Sequence, residues 1–330
     1  MTTSRLFFHN RLPRLPVENS VLIYDRRLAK VWGKWIHRFP VSYGVRSGEE
    51  LKDLSRFPAH VKNLLKKTEG LSSRELTVIA FGGGSVGDFA GFFASVFKRG
   101  VRFVQVPSTW LAAIDSAHGG KTALNVEGYK NQIGSFYPAE RIHLVKEVLM
   151  ELGERRFREA QPEAVKVALL DSPRLWSEVR KSETSRQLWS LLPQLIRAKM
   201  KIVKRDPKET KGLRHLLNLG HTLGHVIESE LGCPHGLAVG SGLRFSLEWS
   251  RHLGFLPSTW FESLEGHVTE AASLRRQIRA LRNPRRALLQ DKKKSRQGRI
   301  GFVFLRRPGS PLIREVSVDE ILAEMRRQAL

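Results

Sequence analysis

A single cysteine, Cys233, leaves no internal disulfide framework in 330 residues and suits a reducing compartment, hence the cytoplasm. The opening MTTSRLFFHNRLPRLP has no basic start followed by an apolar run, so no signal peptide is expected. Long hydrophobic runs are missing too. The longest weakly charged stretch, residues 81–97, holds five glycines and Asp88, which argues against a membrane span. Acidic residues are scarce, 32 against 56 Lys and Arg, leaving a net charge of +24. The basic residues are spread along the chain, and no aromatic-interleaved RNA motif accompanies them. Nucleic acid is therefore not an expected partner; a basic surface that draws in anionic substrates is. Internal repeats and low-complexity tracts are absent. So are three familiar signatures. HTLGH lacks the Glu of the HExxH zinc proteases, and GGGSVGD is neither the GxGxxG fingerprint nor a phosphate loop with its Lys-Ser/Thr.

What is present is an ordinary globular balance, 41% hydrophobic and 27% charged, in a chain long enough for two domains. Apolar runs at 21–24, 76–81 and 101–106 read as buried strands, with a further strand at 41–45. Helical spacing at 27–39, 49–68 and 89–97 lies between them. This β-α-β alternation predicts a parallel sheet with helices on both faces over residues 1–145. From Val145 on, the pattern turns to long helical periodicity: 156–170, 173–204 with a break at Pro193, 212–231, 240–253 and 260–280. The predicted architecture is α/β, a parallel-sheet nucleotide-binding domain followed by a mainly helical metal- and substrate-binding domain, 146–330. Residues 299–305 read as a late strand, and 316–328 as a final helix with Ser317 as its cap.

The densest chemistry lies at 214–236, RHLLNLGHTLGHVIESELGCPHG. At about 100° per residue, Arg214, Asn218, His221 and His225 fall within roughly 60° of arc on one helical face. Gly232 and Pro234 end that helix, and the turn folds His235 back beside His221. Two imidazoles brought together suit zinc, which commonly adds a carboxylate and keeps one position open. Core or capping histidines are the alternative. A second motif is the strand, glycine loop and helix at Gly82-Gly83-Gly84-Ser85-Val86-Gly87-Asp88, an arrangement that lets backbone N–H groups approach a diphosphate. A third is the polar stretch from Asp115 to Asn131. Its two lysines among glycines, in a loop after a strand, suit a phosphorylated or carboxylated ligand.

Taken together, GEELK, GGGSVGDFAGF, KRGVRFVQVPSTWLAAIDS, GGKTALN, YKNQIGSFYP, PEAVK, GLRHLLNLGHTLGHVIE and HG resemble the 3-dehydroquinate synthases of the sugar-phosphate cyclase family. They occur in that family's order from about Gly48 to Leu305. The resemblance implies metal ligands Glu163, His221 and His235, with His225 turned toward substrate. It implies substrate-side residues Asp115, Lys121, Asn131, Lys166, Lys199, Arg214, Asn218 and Lys292, with Arg99 and Lys130 near the phosphate or carboxylate. On the cofactor side it implies Asp25, Glu49, Lys52, Gly83, Gly84, Ser85, Asp88, Ser108 and Thr109, with Lys121 and Lys130 also in reach.

The implied reaction converts 3-deoxy-D-arabino-heptulosonate 7-phosphate, a phosphorylated keto acid, into 3-dehydroquinate and phosphate. NAD oxidises a secondary hydroxyl held at zinc or cobalt, phosphate leaves by β-elimination, the hydride returns, and an aldol step closes the ring. A homodimer is expected by the same resemblance. The chain departs from the family in its poorly matched N-terminal strand, by one extra residue between Lys199 and Arg214, and at two motifs. PEAVK stands where AEVIK is usual, and His235-Gly236-Leu237 stands where HGE is usual. The competing readings are a sister cyclase acting on another sugar phosphate, and a metal-dependent NAD alcohol or polyol dehydrogenase of the same fold.

Overall fold

The apolar runs of the first half become the middle of a six-stranded sheet. Its unit contains β1 (Arg5–His9), β2 (Ser20–Asp25), β3 (Ser42–Val45), β4 (Thr77–Gly82), β5 (Arg102–Pro107), β6 (Lys121–Val126), β7 (Tyr129–Phe136) and β8 (Arg141–Val145). The order across the sheet is β1-β8-β5-β4-β2-β3, with every neighbouring pair parallel. The computed structural model describes residues 4–72, 75–291 and 299–330. Lys292, and the rest of its lysine run, lies outside them.

Residues alternate between the two faces of each strand, and the two faces meet different helices. Leu22, Ile79, Phe81, Val104 and Val106 pack with Trp35 and Ile36 of helix Ala29–Ile36. Helix Gly84–Val96 takes the other face through fully buried Phe89 and Phe93. It approaches so closely that a Cβ on Gly91 would stand 2.9 Å from the Phe103 ring and 2.4 Å from the Thr122 methyl. Each fully buried Phe, Leu or Ile here contributes roughly 1.5–3 kcal/mol over leaving it exposed.

The chain divides into two compact units, Met1–Gly153 and Glu154–Leu330. The shift of pattern at Val145 is the start of the short helix Lys146–Met150, which belongs to the first unit. In the second unit the helices surround the hairpin β9 (Arg299–Leu305) and β10 (Pro311–Ser317). Leu223, Val226 and Ile227 of helix His221–Leu231 enter one core with Phe245, Trp249, Phe302, Phe304 and Ile321. That core fixes one face of the helix and leaves the histidine face for chemistry. Ser317 caps the last helix, Val318–Ala329, reciprocally with Glu320, as its sequence implied.

Several elements differ from the sequence expectation. The segment 49–68 is not one helix: Asp53, in extended conformation, parts the 3-10 turn Glu49–Lys52 from a second, Leu54–Arg56, that runs into helix Phe57–Lys67. Pro193 does not break its helix. Helices Pro173–Val179 and Ser185–Arg205 part earlier, where Thr184 and Gln187 form a capping box. Buried Leu188, Leu192, Leu195 and Ile196 hold the second helix together around the proline's missing N–H. The segment 212–231 splits into a 3-10 turn, Leu213–Asn218, and helix His221–Leu231, because Gly220 adopts φ 79°. Arg214 and Asn218 therefore do not share a helix with His221. The lysine-glycine stretch expected as a loop is the antiparallel hairpin β6–β7.

His143 on β8 ties the edge strand β1 to the sheet. Its Nδ1 lies 3.0 Å from His9 Nε2, and its ring stacks on Phe7 at 5.0 Å. Burial, then the nearby His9 and Arg141, lowers its pKa to about 4. A folded value below the usual 6.5 favours the folded state above pH 6.5, and that contribution is lost as pH falls toward 4. Stability should therefore drop on acidification through this window, by about 2 kcal/mol from this group after allowing for solvent screening. His143→Phe should flatten that part of a urea-midpoint-against-pH curve. An unchanged slope would assign the acid sensitivity elsewhere.

Candidate functional site

Three helices of the second unit converge on Glu163. Helix Gly153–Asp171 carries it, 1% exposed, directly after Pro162. His221 is the first residue of its helix and His235 the first of helix His235–His252. Glycines let the backbones come this close. A Cβ on Gly236 would lie 1.5 Å from the Glu159 carbonyl oxygen, and one on Gly242 would lie 1.7 Å from that of Gly220.

Glu163 Oε1 stands 3.1 Å from His221 Nε2 and 3.4 Å from His235 Nε2. Among the described residues, these three form the group whose ligand atoms all lie within 4.8 Å of one another. A tetrahedral ion with bonds of roughly 2.0–2.1 Å sets its ligands about 3.3 Å apart, so the donor set fits zinc with one position open. The rings are oriented from behind. His221 Nδ1 lies 3.2 Å from the Leu219 carbonyl, and His235 Nδ1 lies 2.8 Å from Glu228 Oε2. Glu228 is a site residue the spacing argument missed.

Electrostatics agree with the assignment. Burial works against a charged Glu163, but Lys166, then His221, overcome it and hold the carboxyl well below its usual range. Lys166 Nζ sits 2.6 Å from Oε2, itself buried. Burial, then Lys166, pushes His221 down to about 4. For His235, burial is outweighed by hydrogen bonds to Glu163 and Glu228, which raise it to about 10. With no ion bound, His235 is therefore protonated at neutral pH. Zinc uptake at pH 7 should release about one proton, visible as a buffer-dependent heat in titration calorimetry.

Around this centre the His225 ring stands 5.3 Å from that of His221 and 6.3 Å from that of His235. Lys199 is buried on helix Ser185–Arg205, which packs on the turn carrying Arg214 and Asn218. Asp206 organises that turn. Its carboxylate accepts from the backbone N–H of Thr210 at 2.8 Å and of Arg214 at 3.3 Å, while Arg214 Nη1 donates to the Pro207 carbonyl at 3.1 Å.

In the first unit, the strand order reverses between β2 and β4, the point in an open parallel sheet where a crevice forms beyond the carboxyl ends. Asp25 ends β2, Gly83, Gly84 and Ser85 follow β4, and Ser108 and Thr109 follow β5. Close contact explains the glycines: a Cβ on Gly83 would lie 3.1 Å from the Thr109 methyl, and one on Gly84 would lie 3.0 Å from Ser116 Oγ. Helix Gly84–Val96 has no side-chain cap, which leaves its first amides for an anion. Asp25 is held ionised against burial by Arg27 at 2.7 Å.

Buried Lys52 donates to Asp88 at 2.6 Å and to Asn131 at 2.5 Å, and Asn125 donates to Glu49 at 2.7 Å. Burial, opposed by Lys52, raises the Asp88 pKa. Asn131, expected with the substrate residues, is thus bonded to Lys52, expected on the cofactor side, and Asn125, not among the expected site residues, to Glu49. Asp115 is half-buried in the turn Ala112–Ser116. Lys121 and Lys130 project from the hairpin as exposed residues. Arg99 is exposed just past the far end of helix Gly84–Val96, about 20 Å along the axis from the glycine loop.

Comparison with known proteins decides the family. The profile of the 3-dehydroquinate synthase N-terminal domain matches residues 42–159, and that of the C-terminal domain matches 160–294. The chain belongs to the 3-dehydroquinate synthase family. It is 36% identical to the 3-dehydroquinate synthase of Leptospira interrogans serovar copenhageni, covering 96% of this chain and 91% of the relative. It is 35% identical to that of Methylacidiphilum infernorum, covering 87% and 81%. Among solved structures, 2-epi-5-epi-valiolone synthase from Streptomyces hygroscopicus, with NAD+ and Zn2+ bound, matches at TM-score 0.82. It is 22% identical, covering 100% of this chain and 97% of that one. A 2-deoxy-scyllo-inosose synthase complexed with carbaglucose-6-phosphate, NAD+ and Co2+ matches at 0.77, with 24% identity over 98% and 96%. Both share the fold. Among the described residues, no helix is long and apolar enough to cross a membrane.

For a 3-dehydroquinate synthase family member, Leu237 is the conspicuous departure. It lies 47% exposed beside Glu154, Arg155, Arg158 and Pro234, while His235 faces Glu163. Leu237→Glu should therefore leave zinc stoichiometry unchanged and move metal affinity less than about 10-fold. Native protein without metal, and a variant that gains it, would make position 237 essential.

Proposed function

We propose that this chain is a working 3-dehydroquinate synthase, converting 3-deoxy-D-arabino-heptulosonate 7-phosphate to 3-dehydroquinate and phosphate, with recycled NAD and a resident zinc or cobalt. The observation that supports it most is the meeting of Glu163, His221 and His235 at separations suited to a tetrahedral ion. When bound, the cofactor would take and return a hydride, and the metal would polarise the oxygen at the oxidised carbon.

The chain's own residues supply the rest. Lys166 keeps Glu163 ionised, so no proton has to leave the carboxylate before it binds a metal. Burial keeps His221 neutral, with Nε2 available. Asp25, Ser85 and the unspent amides of helix Gly84–Val96 suit a dinucleotide's ribose and diphosphate. Buried Lys199 and Arg214 would supply positive charge for a carboxylate or phosphate, and His225 and Lys166, close to the three ligands, would suit proton transfer there. The family resemblance supports a homodimer, and the lone cysteine a cytoplasmic setting.

The test is phosphate release from the heptulosonate phosphate, with and without NAD and zinc, while NADH absorbance is followed. Release that needs both, with no net NADH, is the expected result. NADH accumulating without phosphate would instead identify a dehydrogenase of this fold.

A further inference from the structure

We propose that Glu228 is a positioning residue of the metal centre, holding the His235 ring in the tautomer and rotation that aim Nε2 at the ion. The proposal rests on the metal reading above and goes beyond it, since Glu228 is not among the three ligands. Seven residues separate Glu228 from His221 in one helix, so the two lie within about 20° of each other around the axis, two turns apart. The chain then leaves the helix through Gly232, at φ 63°, and re-enters at His235. The imidazole thereby spans two carboxylates: Nδ1 is 2.8 Å from Glu228 Oε2, and Nε2 is 3.4 Å from Glu163 Oε1.

An ionised Glu228 accepts only, so Nδ1 keeps its hydrogen and the Nε2 lone pair is left for the metal. The bond also makes the imidazole a stronger donor and adds a negative charge near a dication. Helix stability alone does not explain a glutamate here. It sits in the last turn of helix His221–Leu231, where a negative charge opposes the helix dipole.

Zinc affinity would be measured by competition with a chromogenic chelator at pH 7 for native protein, Glu228→Gln and Glu228→Ala. Thermal midpoints of the metal-free proteins would be taken alongside. Glu228→Ala should bind zinc 10–100-fold more weakly, in the range known for such outer partners. Glu228→Gln should fall between, because its amide oxygen can still accept from Nδ1–H, and the metal-free midpoints should stay close to native. Affinity of the alanine variant within about threefold of native would overturn the proposal. So would equal weakening in both variants together with an equal loss of metal-free stability, which marks a structural residue. Native protein that binds no zinc would overturn the metal reading itself, and this proposal with it.

Discussion

Glu163→Gln should yield a folded but metal-free protein whose turnover is at least about 10³-fold lower, since a Lewis-acid metal stabilises the transition state by several kcal/mol. The substitution keeps the shape of the side chain and removes its charge. That charge serves two partners: Oε1 faces both histidines, and Oε2 faces Lys166 at 2.6 Å. Lys166 is 1% exposed, so losing the carboxylate takes a negative charge away from beside a buried ammonium. Breaking such a pair costs about 3–5 kcal/mol. The single variant should therefore lose stability as well as zinc. Adding Lys166→Met to Glu163→Gln separates the two effects. Most of the thermal stability should return, while zinc content and phosphate release stay absent. If the double variant regained zinc, Glu163 would not be a ligand.

The second large effect is expected at Gly236→Ala. A new Cβ would lie 1.5 Å from the Glu159 carbonyl oxygen and 2.6 Å from its carbon, where contacts under 3.0 Å essentially never occur. Both atoms are backbone in the middle of a helix, so no side chain can swing away. The start of helix His235–His252 must retreat, and His235 is its first residue. Overpacking in a well-packed interior costs about 1–3 kcal/mol, occasionally more. In a chain of this size that lowers the melting temperature by roughly 2–4 °C per kcal/mol. The loss of zinc should be disproportionate, because it responds to the position of one ring rather than to total stability. Gly266→Ala is the matched control: nothing lies within 4 Å of its Cβ and its φ is ordinary for a helix end, −68°. It should melt at or slightly above the native temperature. Full zinc occupancy in Gly236→Ala would show that the helix contact does not set the metal site.

Much of this was legible from residue type and order. His221 and His235 could be paired because Gly232 and Pro234 force a turn between them, and the glycine loop could be placed because a buried strand runs into it. Arg214 and Asn218 leave the helical face of His221 because of one residue. Gly220 takes a left-handed conformation, where a Cβ would also meet the Leu243 nitrogen at 2.8 Å, and the helix restarts after it. Neither fact shows in periodicity. The hairpin β6–β7 escaped notice because Tyr129–Phe136 is exposed almost throughout and so lacks an apolar alternation to read. Edge strand β1 is too short to carry a pattern. Glu228 was invisible for another reason: a helical glutamate is ordinary, and only the fold of the next helix brings an imidazole onto it.

The place of β1 also bears on how the chain is made. Among the described residues β1 is an edge strand whose partner is β8, Arg5 opposite Arg141, so its backbone partner is encoded more than a hundred residues later. A ribosome adding roughly 5–20 residues per second needs about 7–27 s to reach it. For most of that interval RLFFH has no strand to pair with, and its N–H and C=O groups are uncommitted. Translation stalled shortly before residue 141 should therefore leave a nascent chain that chaperones hold and proteases cut. Release beyond residue 145 supplies the partner strand, so an edge made early can close only late.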